Sequence, residues 1–408
     1  MEGGKTAMQE RMIVHFDLDT FFVSVERLMN AALKDKPVII GSLSERGVVA
    51  SCSYEARKYG VHSAMPMRMA LNLCGDAIVI RGDMDLYSKY SRTVTGIIAE
   101  KAPLYEKASI DEHYLDVSGL DRFWGAMKWT RELRQRIIRE TGLPISFGLS
   151  VNKTVSKIAT GEAKPNGEIE VKQELVHPFL NPLSIRKIPL VGPKNYRLLR
   201  SMGVETIQTL AAIPPVMLES VLGKAGIEIW QRANGIDPRP VLPYSEEKSI
   251  SKECTFGTDT IDIQMLEEVL MGMAEKIAFK LRKKQKLASV VTVKIRYANY
   301  DTHTLQKKIA YTSFDHILRE TARDLFKRLY DRRMLIRLIG MKASGLVGGA
   351  QQLDLFETNE KLVRLYLSMD KIRLRYGPDA IGHALGFDYK EKKPSGSSLK
   401  KTVRYVSE

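Results

Sequence analysis

Apolar and polar positions alternate along the chain with two different periods, and the pattern changes near residue 173. Before that point, apolar runs of strand length, such as Met12–Phe16 and Ile145–Val151, are separated by stretches with helical spacing, such as Leu86–Glu100. Strands and helices mixed in this way predict an α+β sheet domain up to about residue 172.

The rest of the chain divides into a helical module, a linker and a second mixed region. Residues 173–241 contain short helical segments separated by Gly and Pro, and residues 242–249 combine Pro, Ser and charged residues as a linker would. Residues 250–345 return to strands and helices, with a helix predicted over Leu266–Arg282 and a strand over Ser289–Tyr297. We therefore expect an α+β multidomain protein.

Composition excludes several classes of protein. The 408 residues are too many for one ordinary core, and 44% hydrophobic with 27% charged residues is typical of a globular chain rather than a disordered one. No run of about 18 apolar residues predicts a membrane span, and the N-terminus lacks the pattern of a secretory signal. Three cysteines without a CxxC pair favour a reducing cytoplasm over a disulfide framework.

The positive charge is concentrated in one part of the chain. The net charge is +15, and residues 245–345 alone hold 20 basic and 13 acidic side chains. A local positive field indicates a polyanionic partner, most often nucleic acid, although a basic surface also serves solubility alone. The end of the chain, residues 390–408, is rich in Lys and Ser and is predicted to be disordered.

Two acidic clusters follow strand-like runs. Asp17 and Asp19 are two residues apart and would share one side of a strand that continued through them. Asp111 and Glu112 are adjacent acids, which repel each other unless a cation or solvent neutralises them. Each cluster alone also fits an acidic turn. Asp17, Asp111 and Glu112 together could hold two divalent ions across a transferring phosphoryl group, because Mg²⁺ prefers oxygen ligands.

A third set of residues suits a triphosphate. Tyr54 and Arg57 lie in the segment SYEARKYGV, and Lys164 lies in EAKPNG. Arg can bind two phosphate oxygens at once and Lys supplies a point charge, although basic residues on a helix are more often simply solvated.

These segments resemble a known family when they are taken together. HFDLDTFF, SYEARKYGV, ASIDEHYLDVSG, GLSVNKTVSKIAT and EAKPNG, in this order and spacing over about residues 11–345, are similar to the Y-family (translesion) DNA polymerases, in particular the bacterial DNA polymerase IV type. The resemblance implies a right-hand polymerase. Its palm would comprise residues 10–20 and 83–172, its small fingers residues 21–82, and its helix-hairpin-helix thumb residues 173–241. A linker over residues 242–249 would lead to an α+β little finger over residues 250–345, followed by a C-terminal extension with a basic tail over residues 346–408.

The resemblance also assigns roles at the active site. It implies two Mg²⁺ ions held by the three carboxylates and a backbone carbonyl, with Glu112 usually assigned as catalytic, and an aromatic gate that excludes a ribose 2′-OH. The residues at the matching positions are Asp17, Leu18, Asp111 and Glu112 for the metal ions, Phe22 for the gate, and Tyr54, Arg57, Lys164 and, more weakly, Ser51 for the nucleotide.

Two positions depart from the family pattern, and several basic residues are candidates for DNA contact. His113 follows the acidic pair where the family generally has a small residue, so it either contacts the primer or packs internally. Leu190 replaces the first Gly of the thumb hairpin, while Gly192 keeps the second, which puts close backbone approach to phosphate in doubt.

The candidate phosphate contacts in the little finger are Lys252, Lys294, Arg296 and Lys342.

A short segment that follows the second mixed region resembles a bacterial sliding-clamp-binding motif. Its residues are Gln352, Leu353, Leu355 and Phe356, and apolar anchors of this kind can fill a pocket on a partner. The segment is internal, because an amphipathic stretch over Glu360–Tyr376 follows it. It could also be a packed connector.

The sequence therefore predicts a template-directed, error-prone DNA polymerase without proofreading. The expected partners are primer-template DNA, a dNTP and a sliding clamp, with no membrane, and a monomer in the bacterial cytoplasm is expected. Two rival classes remain open at this point: a two-metal nuclease or cyclase, which shares the carboxylates, and a non-catalytic DNA-binding scaffold, which would tolerate neutral residues at positions 17, 111 and 112.

Overall fold

The computed structural model describes residues 11–44, 46–120, 125–243, 246–349, 360–377 and 380–382. These residues form two compact units, and the division between them falls after residue 245, inside the predicted linker. The finer division into palm, fingers and thumb stays a prediction. The segment that resembles a clamp-binding motif and the Lys/Ser-rich end of the chain lie outside the described residues.

The described part of the first unit contains two sheets. A five-stranded sheet has the order β5-β6-β1-β7-β8, and a three-stranded sheet has the order β3-β2-β4. The strands are β1 (Ile13–Leu18), β2 (Val38–Gly41), β3 (Val49–Cys52), β4 (Ile78–Ile80), β5 (Leu104–Lys107), β6 (Glu112–Asp116), β7 (Ile145–Ser150) and β8 (Glu168–Val171).

Helices cover these sheets and continue into a helical region. They are α1 (Phe21–Met29), α2 (Tyr54–Lys58), α3 (Met67–Leu73), α4 (Met84–Lys101), α5 (Ala126–Thr141), α6 (Lys153–Ala163), α7 (Val176–Leu180), α8 (Pro193–Ser201), α9 (Ile207–Ala211), α10 (Pro215–Leu222) and α11 (Lys224–Ala233). Helix α5 ends at Gly142, which has φ 71° and so supplies the left-handed residue that closes many helices. Helices α8 and α10 begin with Pro at a position where no N–H is needed.

Strand β1 lies at the centre of the five-stranded sheet, with one apolar face in the core and a second face that carries His15 and Asp17. Val14 and Phe16 are fully buried and belong to the main core of the unit, which also contains Phe147 of β7 and Ile137 of α5. β1 pairs antiparallel with β6 on one side and with β7 on the other. Asp17 therefore lies near the end of the central strand of this sheet.

The second unit is a four-stranded antiparallel sheet covered by helices on one face. The strand order is β11-β10-β12-β9. The elements are β9 (Ser249–Thr260), α12 (Ile263–Lys283), β10 (Lys286–Tyr297), β11 (Thr302–Thr312), α13 (Asp315–Leu329), β12 (Ile336–Gly348) and α14 (Glu360–Tyr376). Val291, Val293 and Ile295 alternate along β10 and are fully buried in the core shared with α12 and α13. In the described residues of both units, no helix is long and apolar enough to cross a membrane.

Helix α14 coincides with the predicted amphipathic stretch and is fixed by a buried group of charges. Arg282 at the end of α12 donates to Asp370 of α14 at 2.6 and 2.9 Å and to Asp315 of α13 at 2.5 Å. Arg373 of α14 is 4% exposed and lies 3.6 Å from Asp315. Tyr366 and Met369 add an apolar contact with Phe314. The C-terminal helix is therefore part of the second unit.

We expect Asp370→Asn to destabilise the protein by about 1–3 kcal/mol. The amide cannot accept two charge-assisted bonds from Arg282, and the guanidinium remains largely buried beside Asp315. The free energy of unfolding, from urea denaturation followed by circular dichroism, measures the effect. Asp324→Asn is the control, because its pair with Lys307 is exposed and should contribute less than about 1 kcal/mol. Equal effects of the two variants would contradict the role given to the buried charges.

Candidate active site

The structure brings the three predicted metal-binding carboxylates to one end of the neighbouring strands β1 and β6 of the five-stranded sheet. We call this place the acidic site. Asp17 of β1 is the direct cross-strand partner of Glu112 of β6. The Leu18 N–H donates to the Asp111 carbonyl oxygen at 3.1 Å, so the residue before Glu112 is held at the end of the same strand pair. Residues separated by more than 90 positions in the chain are thus neighbours because the two strands pair in this register.

Lysine side chains neutralise two of these carboxylates. Lys164 Nζ lies 2.5 Å from Asp17 Oδ1. Lys157 Nζ lies 2.7 and 2.6 Å from the two carboxylate oxygens of Glu112. Asp111 instead accepts a hydrogen bond from the Ser109 hydroxyl at 2.5 Å. The negative charges of Asp17 and Glu112 are therefore compensated by side chains of α6 and of the turn after it.

The environments of Asp17 and Glu112 move their pKa values in opposite directions. Burial raises the pKa of Asp17 to about 6, and the negative charges of Glu112 and Asp111 add to this despite the attraction of Lys164. Burial also acts to raise the pKa of Glu112, but His15 and Lys157 outweigh it and lower that pKa to about 2. Asp17 is therefore the carboxylate whose charge is less well compensated.

The donor set suits a divalent metal ion, although the carboxylates are not arranged around one. All the candidate donors are oxygens, which hard cations prefer. Among the described residues, no group of three or more His, Cys, Asp or Glu side chains is placed to hold a metal ion together. A cation would nevertheless relieve the repulsion between Asp17 and its cross-strand neighbour Glu112. For both carboxylates to bind it, Lys157 and Lys164 would have to withdraw.

Two buried histidines lie close to the acidic site. His15 of β1, which the sequence reasoning did not single out, has Nδ1 2.9 Å from the Thr160 hydroxyl and Nε2 3.6 Å from Glu112 Oε2. His113 is fully buried, and its Nε2 lies 3.0 Å from the Thr95 hydroxyl. Burial and the nearby Lys107 lower the pKa of His113 to about 3. Of the two alternatives for His113, the structure supports internal packing.

The predicted triphosphate residues lie on three separate elements, of which two supply a cationic side chain. Tyr54 and Arg57 are on α2, and the Arg57 guanidinium lies 5.1 Å from the centre of the Tyr54 ring. Lys164 follows the end of α6. Ser51 is on β3 and is 9% exposed. The structure thus offers two cationic groups, from two of these elements.

Asp19 does not join Asp17 on one side of a strand. β1 ends at Leu18, and Asp19 is only 2% exposed. Its two carboxylate oxygens lie 3.1 and 2.9 Å from the Ser146 hydroxyl, and Oδ2 accepts the Asn166 N–H at 2.6 Å. The interpretation of Asp17 and Asp19 as a paired metal-binding motif is therefore not supported by the geometry.

Phe22, the predicted sugar gate, is held against another aromatic ring. It is the second residue of α1 and is half-buried. Its ring stacks on Tyr87 with 4.4 Å between the centroids and 14° between the planes. The Tyr87 hydroxyl donates to Glu26 Oε1 at 2.8 Å. The position of the Phe22 ring is therefore fixed by a side chain from α4.

The hairpin before α8 keeps its shape without the first Gly of the family pattern. Leu190 has φ 82°, a left-handed conformation that normally favours Gly. Gly192 has an ordinary φ of −75°, and a Cβ added there would meet nothing within 4 Å. The departure at Leu190 thus leaves the turn intact and places a bulky side chain, 49% exposed, on it.

Three of the four candidate DNA contacts share one face of the second unit. Lys294 and Arg296 of β10 and Lys342 of β12 alternate with the buried residues and lie on the face away from α12 and α13. Lys252 of β9 is opposite Met341, whose side chain is in the core, so it belongs to the helix-covered face. The open face also holds Glu253, whose carboxylate lies 2.9 Å from Lys294 Nζ.

Comparisons with known proteins agree on one family. A sequence model of the impB/mucB/samB family matches residues 16–161, and that of its C-terminal domain matches residues 247–355. DNA polymerase IV of Dehalococcoides mccartyi (strain CBDB1) is 43% identical over 374 residues, which cover 91% of this chain and 96% of the relative. DNA polymerase IV of Listeria innocua is 37% identical over 82% of this chain and 95% of the relative.

Solved structures show the same fold. A Y-family DNA polymerase chimera of Dbh and Dpo4 superposes with a TM-score of 0.71 at 27% identity, over 83% of this chain and all of that one. The insertion ternary complex of Dbh DNA polymerase superposes with a TM-score of 0.61 at 26% identity and the same coverage.

The fold and the sequence together define a Y-family polymerase of the right-hand type. The chain belongs to the impB/mucB/samB family of translesion DNA polymerases. It is a DNA-directed DNA polymerase that binds DNA and dNTP, and the rival interpretations as a nuclease, a cyclase or a scaffold are set aside.

Proposed function

We propose that this polymerase extends a primer with the carboxylates of Asp17, Asp111 and Glu112 as ligands of two Mg²⁺ ions, together with the Leu18 carbonyl. The observation that carries the proposal is the pairing of β1 with β6, which makes Asp17 and Glu112 direct neighbours. Polymerases of this family depend on divalent metal ions in general. Primer extension with the Asp111→Asn variant tests the assignment.

The ions, when bound, lower the barrier to attack by the primer 3′-OH and stabilise the charge that develops on the leaving pyrophosphate. The protein itself positions the reacting groups. Glu112 stays ionised because its pKa is low, and Ser109 orients the Asp111 carboxylate. Lys157 neutralises Glu112 and Lys164 neutralises Asp17, and both lysines would have to withdraw if cations bound there.

The nucleotide triphosphate is proposed to lie between α2 and the turn after α6. Arg57 and Lys164 supply positive charge, the Tyr54 hydroxyl donates a hydrogen bond, and Ser51 is a weaker candidate. Burial first, and then the negative charge of Asp19, raises the pKa of Tyr54 well above its usual value, so its hydroxyl remains a donor. Lys164 would exchange its contact with Asp17 for one with the triphosphate.

Low fidelity is proposed from the size of the fingers. Only about 60 residues, 21–82, separate β1 from the region around α4, and their three-stranded sheet has strands of three or four residues. Such a small element checks the shape of the nascent base pair loosely, which suits damaged templates. We propose that the enzyme is error-prone and lacks proofreading.

The DNA backbone is proposed to contact the open face of the second unit. Lys294, Arg296 and Lys342 lie there, and contacts of Lys and Arg with phosphate position DNA without reading its sequence. Lys252 remains a candidate from the other face of the edge strand, and the hairpin at Gly192 is a further candidate. Glu253 reduces the positive charge that the open face offers to DNA.

We expect Glu253→Gln to tighten binding of primer-template DNA about threefold to tenfold in low salt. Loss of the carboxylate leaves Lys294 available to a phosphate, and one further neutralised phosphate steepens the plot of log Kd against log salt by about 0.9. Fluorescence anisotropy with labelled primer-template, at salt concentrations between about 50 and 200 mM, measures the Kd and its salt dependence. Asp324→Asn removes the same charge from α13 and should change affinity much less. Equal effects, or a flat salt response, would argue against this DNA-binding face.

The partner and cellular location are also proposals. We infer that residues 352–356 bind a sliding clamp through Leu353, Leu355 and Phe356, with Gln352 at the start of the motif. The polymerase is proposed to act as a monomer in the bacterial cytoplasm, and to join the nucleoid when it extends DNA.

A further inference from the structure

Asp19 is a buried carboxylate for which neither the metal site nor the sugar gate provides a role. It is 2% exposed and lies directly after β1, two residues beyond Asp17. A carboxylate in such a place is costly unless hydrogen bonds satisfy it. Its hydrogen-bond partners therefore indicate what the residue does.

The donors to Asp19 come from the two elements that carry the nucleotide-binding candidates. The Asn166 N–H donates to Oδ2 at 2.6 Å, and the Tyr54 hydroxyl donates to Oδ1 at 3.4 Å. The Ser146 hydroxyl lies within 3.1 Å of both oxygens and accepts the Gly167 N–H at 3.2 Å. Lys164 Nζ lies 3.8 Å from Oδ1.

These contacts join segments that are distant in sequence. Tyr54 belongs to α2, and Asn166 and Gly167 belong to the turn that begins with Lys164. Asp19 bonds to both segments, and Ser146 bonds to Asp19 and to Gly167. The separation of the Tyr54 hydroxyl from the Lys164 turn is therefore set by one carboxylate group.

We propose that Asp19 is a positioning residue that holds Tyr54 and the Lys164 turn at the spacing required by the triphosphate of the incoming dNTP. The inference rests on the proposed nucleotide contacts of Tyr54 and Lys164. We do not propose Asp19 as a metal ligand, because its Oδ2 accepts a backbone N–H and the Ser146 hydroxyl, whereas the donor on Glu112 is the long Lys157 side chain, which can withdraw. Asp17 differs from Asp19 in its partners. Its carboxylate lies at hydrogen-bond distance from the Lys164 side chain and, within the described residues, accepts no hydrogen bond from a backbone N–H group.

The arrangement also determines which part of the turn moves. Because Asp19 fixes the backbone N–H of Asn166, two residues after Lys164, the backbone of the turn stays in place. The Lys164 side chain then has only to swing from Asp17 to a phosphate, and the Tyr54 hydroxyl, which has a single proton, to turn its O–H from Asp19 to a phosphate oxygen. A preset backbone lowers the loss of conformational freedom on nucleotide binding, which favours affinity for dNTP.

The test measures nucleotide affinity separately from chemistry, in the full-length protein with primer-template DNA. Ca²⁺ replaces Mg²⁺ for equilibrium binding of dNTP, and KM, kcat and the half-saturating Mg²⁺ concentration are measured by primer extension. Asp19→Ala is expected to raise both Kd and KM for dNTP by about tenfold or more, as a misplacement of about 1 Å can do. Asp19→Asn keeps one acceptor and should show a smaller increase, and Ser146→Ala about threefold.

The same variants should leave other properties unchanged. Primer-template affinity and the half-saturating Mg²⁺ concentration should stay within about twofold of the parent, because Asp19 contacts neither group in this proposal. Asp116→Asn is the matched control: this carboxylate is on β6 of the same sheet, and its Oδ1 accepts only the Ser118 N–H, at 3.0 Å, among the described contacts. It should leave dNTP affinity as it is.

Each alternative outcome has a distinct meaning. An unchanged dNTP Kd in Asp19→Ala overturns the inference, and so does a large shift in Mg²⁺ dependence, which would make Asp19 a metal ligand. If Asp19→Ala fails to fold, Asp19→Asn and Ser146→Ala decide the matter, and normal dNTP affinity in both overturns it. If Tyr54→Phe and Lys164→Ala bind dNTP normally, the proposed nucleotide site itself is wrong, independently of Asp19.

Discussion

Asp111→Asn is expected to lower kcat for primer extension by about 10³-fold or more. The substitution removes one negative charge from the acidic site, where Mg²⁺ ions are proposed to bind. Loss of a single preorganised charge-stabilising group commonly lowers the rate by a factor of about 10²–10³. The local fold should persist, because an Asn oxygen can still accept the hydrogen bond from Ser109. Primer extension over a range of Mg²⁺ concentrations measures the loss.

DNA binding separates this effect from unfolding. The Asp111 variant should bind primer-template DNA within about twofold of the parent, since Asp111 is not among the proposed DNA contacts. Asp116→Asn, on the adjoining strand β6, should retain nearly full activity. Retention of more than about a tenth of the parent kcat by the Asp111 variant would remove Asp111 from the metal-binding set.

The buried elements of this fold were predictable because their apolar periodicity is strong. The predicted helix over Leu86–Glu100 corresponds to α4, and the predicted strand over Ile145–Val151 corresponds to β7. The predicted amphipathic stretch coincides with α14, whose inward positions Tyr366 and Met369 recur at the spacing of a helix. In each case one face packs against a core, so the local pattern and the tertiary structure agree.

Strand β9, at one edge of the four-stranded sheet, was not predictable in the same way. β9 is twelve residues long, yet the sequence suggested a linker up to residue 249 and no strand after it. Its residues Lys252, Glu253 and Thr255 are polar and exposed, because an edge strand has only one neighbour. Strands β5 and β8, at the two edges of the five-stranded sheet, were not predicted either. Strand formation there depends on a neighbouring strand rather than on local pattern.

The acidic side chains of the site were predictable, but their counter-charges were not. Lys157 is 45 residues from Glu112 in the chain, and only the pairing of β1 with β6 and the packing of α6 bring them together. A signal was nevertheless available. Lys153, Lys157 and Thr160 recur at helical spacing in α6 and contact Glu106, Glu112 and His15 respectively. A polar face on an otherwise buried helix indicates charged partners across the interface.

The DxD pattern shows why spacing alone misleads at the end of a strand. Asp17 and Asp19 would share one side only if β1 continued, but the strand ends at Leu18 and Thr20 takes the left-handed φ of 42°. The turn sends the Asp19 side chain to Ser146 and Asn166 instead. Two carboxylates that look equivalent in the sequence thus have different partners, and we assign them different roles.

Phe22→Ala is expected to reduce the preference for dNTP over rNTP by about 10²-fold. The aromatic ring is proposed to occupy the space that a ribose 2′-OH would need, and a site that loses a steric barrier of this kind commonly changes its selectivity by about that factor. Stacking on Tyr87, which is itself held by Glu26, keeps the ring from moving aside. The ratio of kcat/KM for dCTP and CTP opposite a template guanine measures the change.

Two further variants distinguish a gate from a core residue. Phe22→Tyr keeps a ring of the same width and should retain most of the discrimination, whereas a general loss of packing would lower kcat/KM for dCTP and CTP alike. Tyr87→Phe keeps the stacked ring but removes the hydrogen bond to Glu26, so discrimination should fall only slightly. If Phe22→Ala leaves the ratio unchanged while folding normally, the sugar is excluded by another group, and the half-buried Phe22 ring serves only to pack α1 against α4.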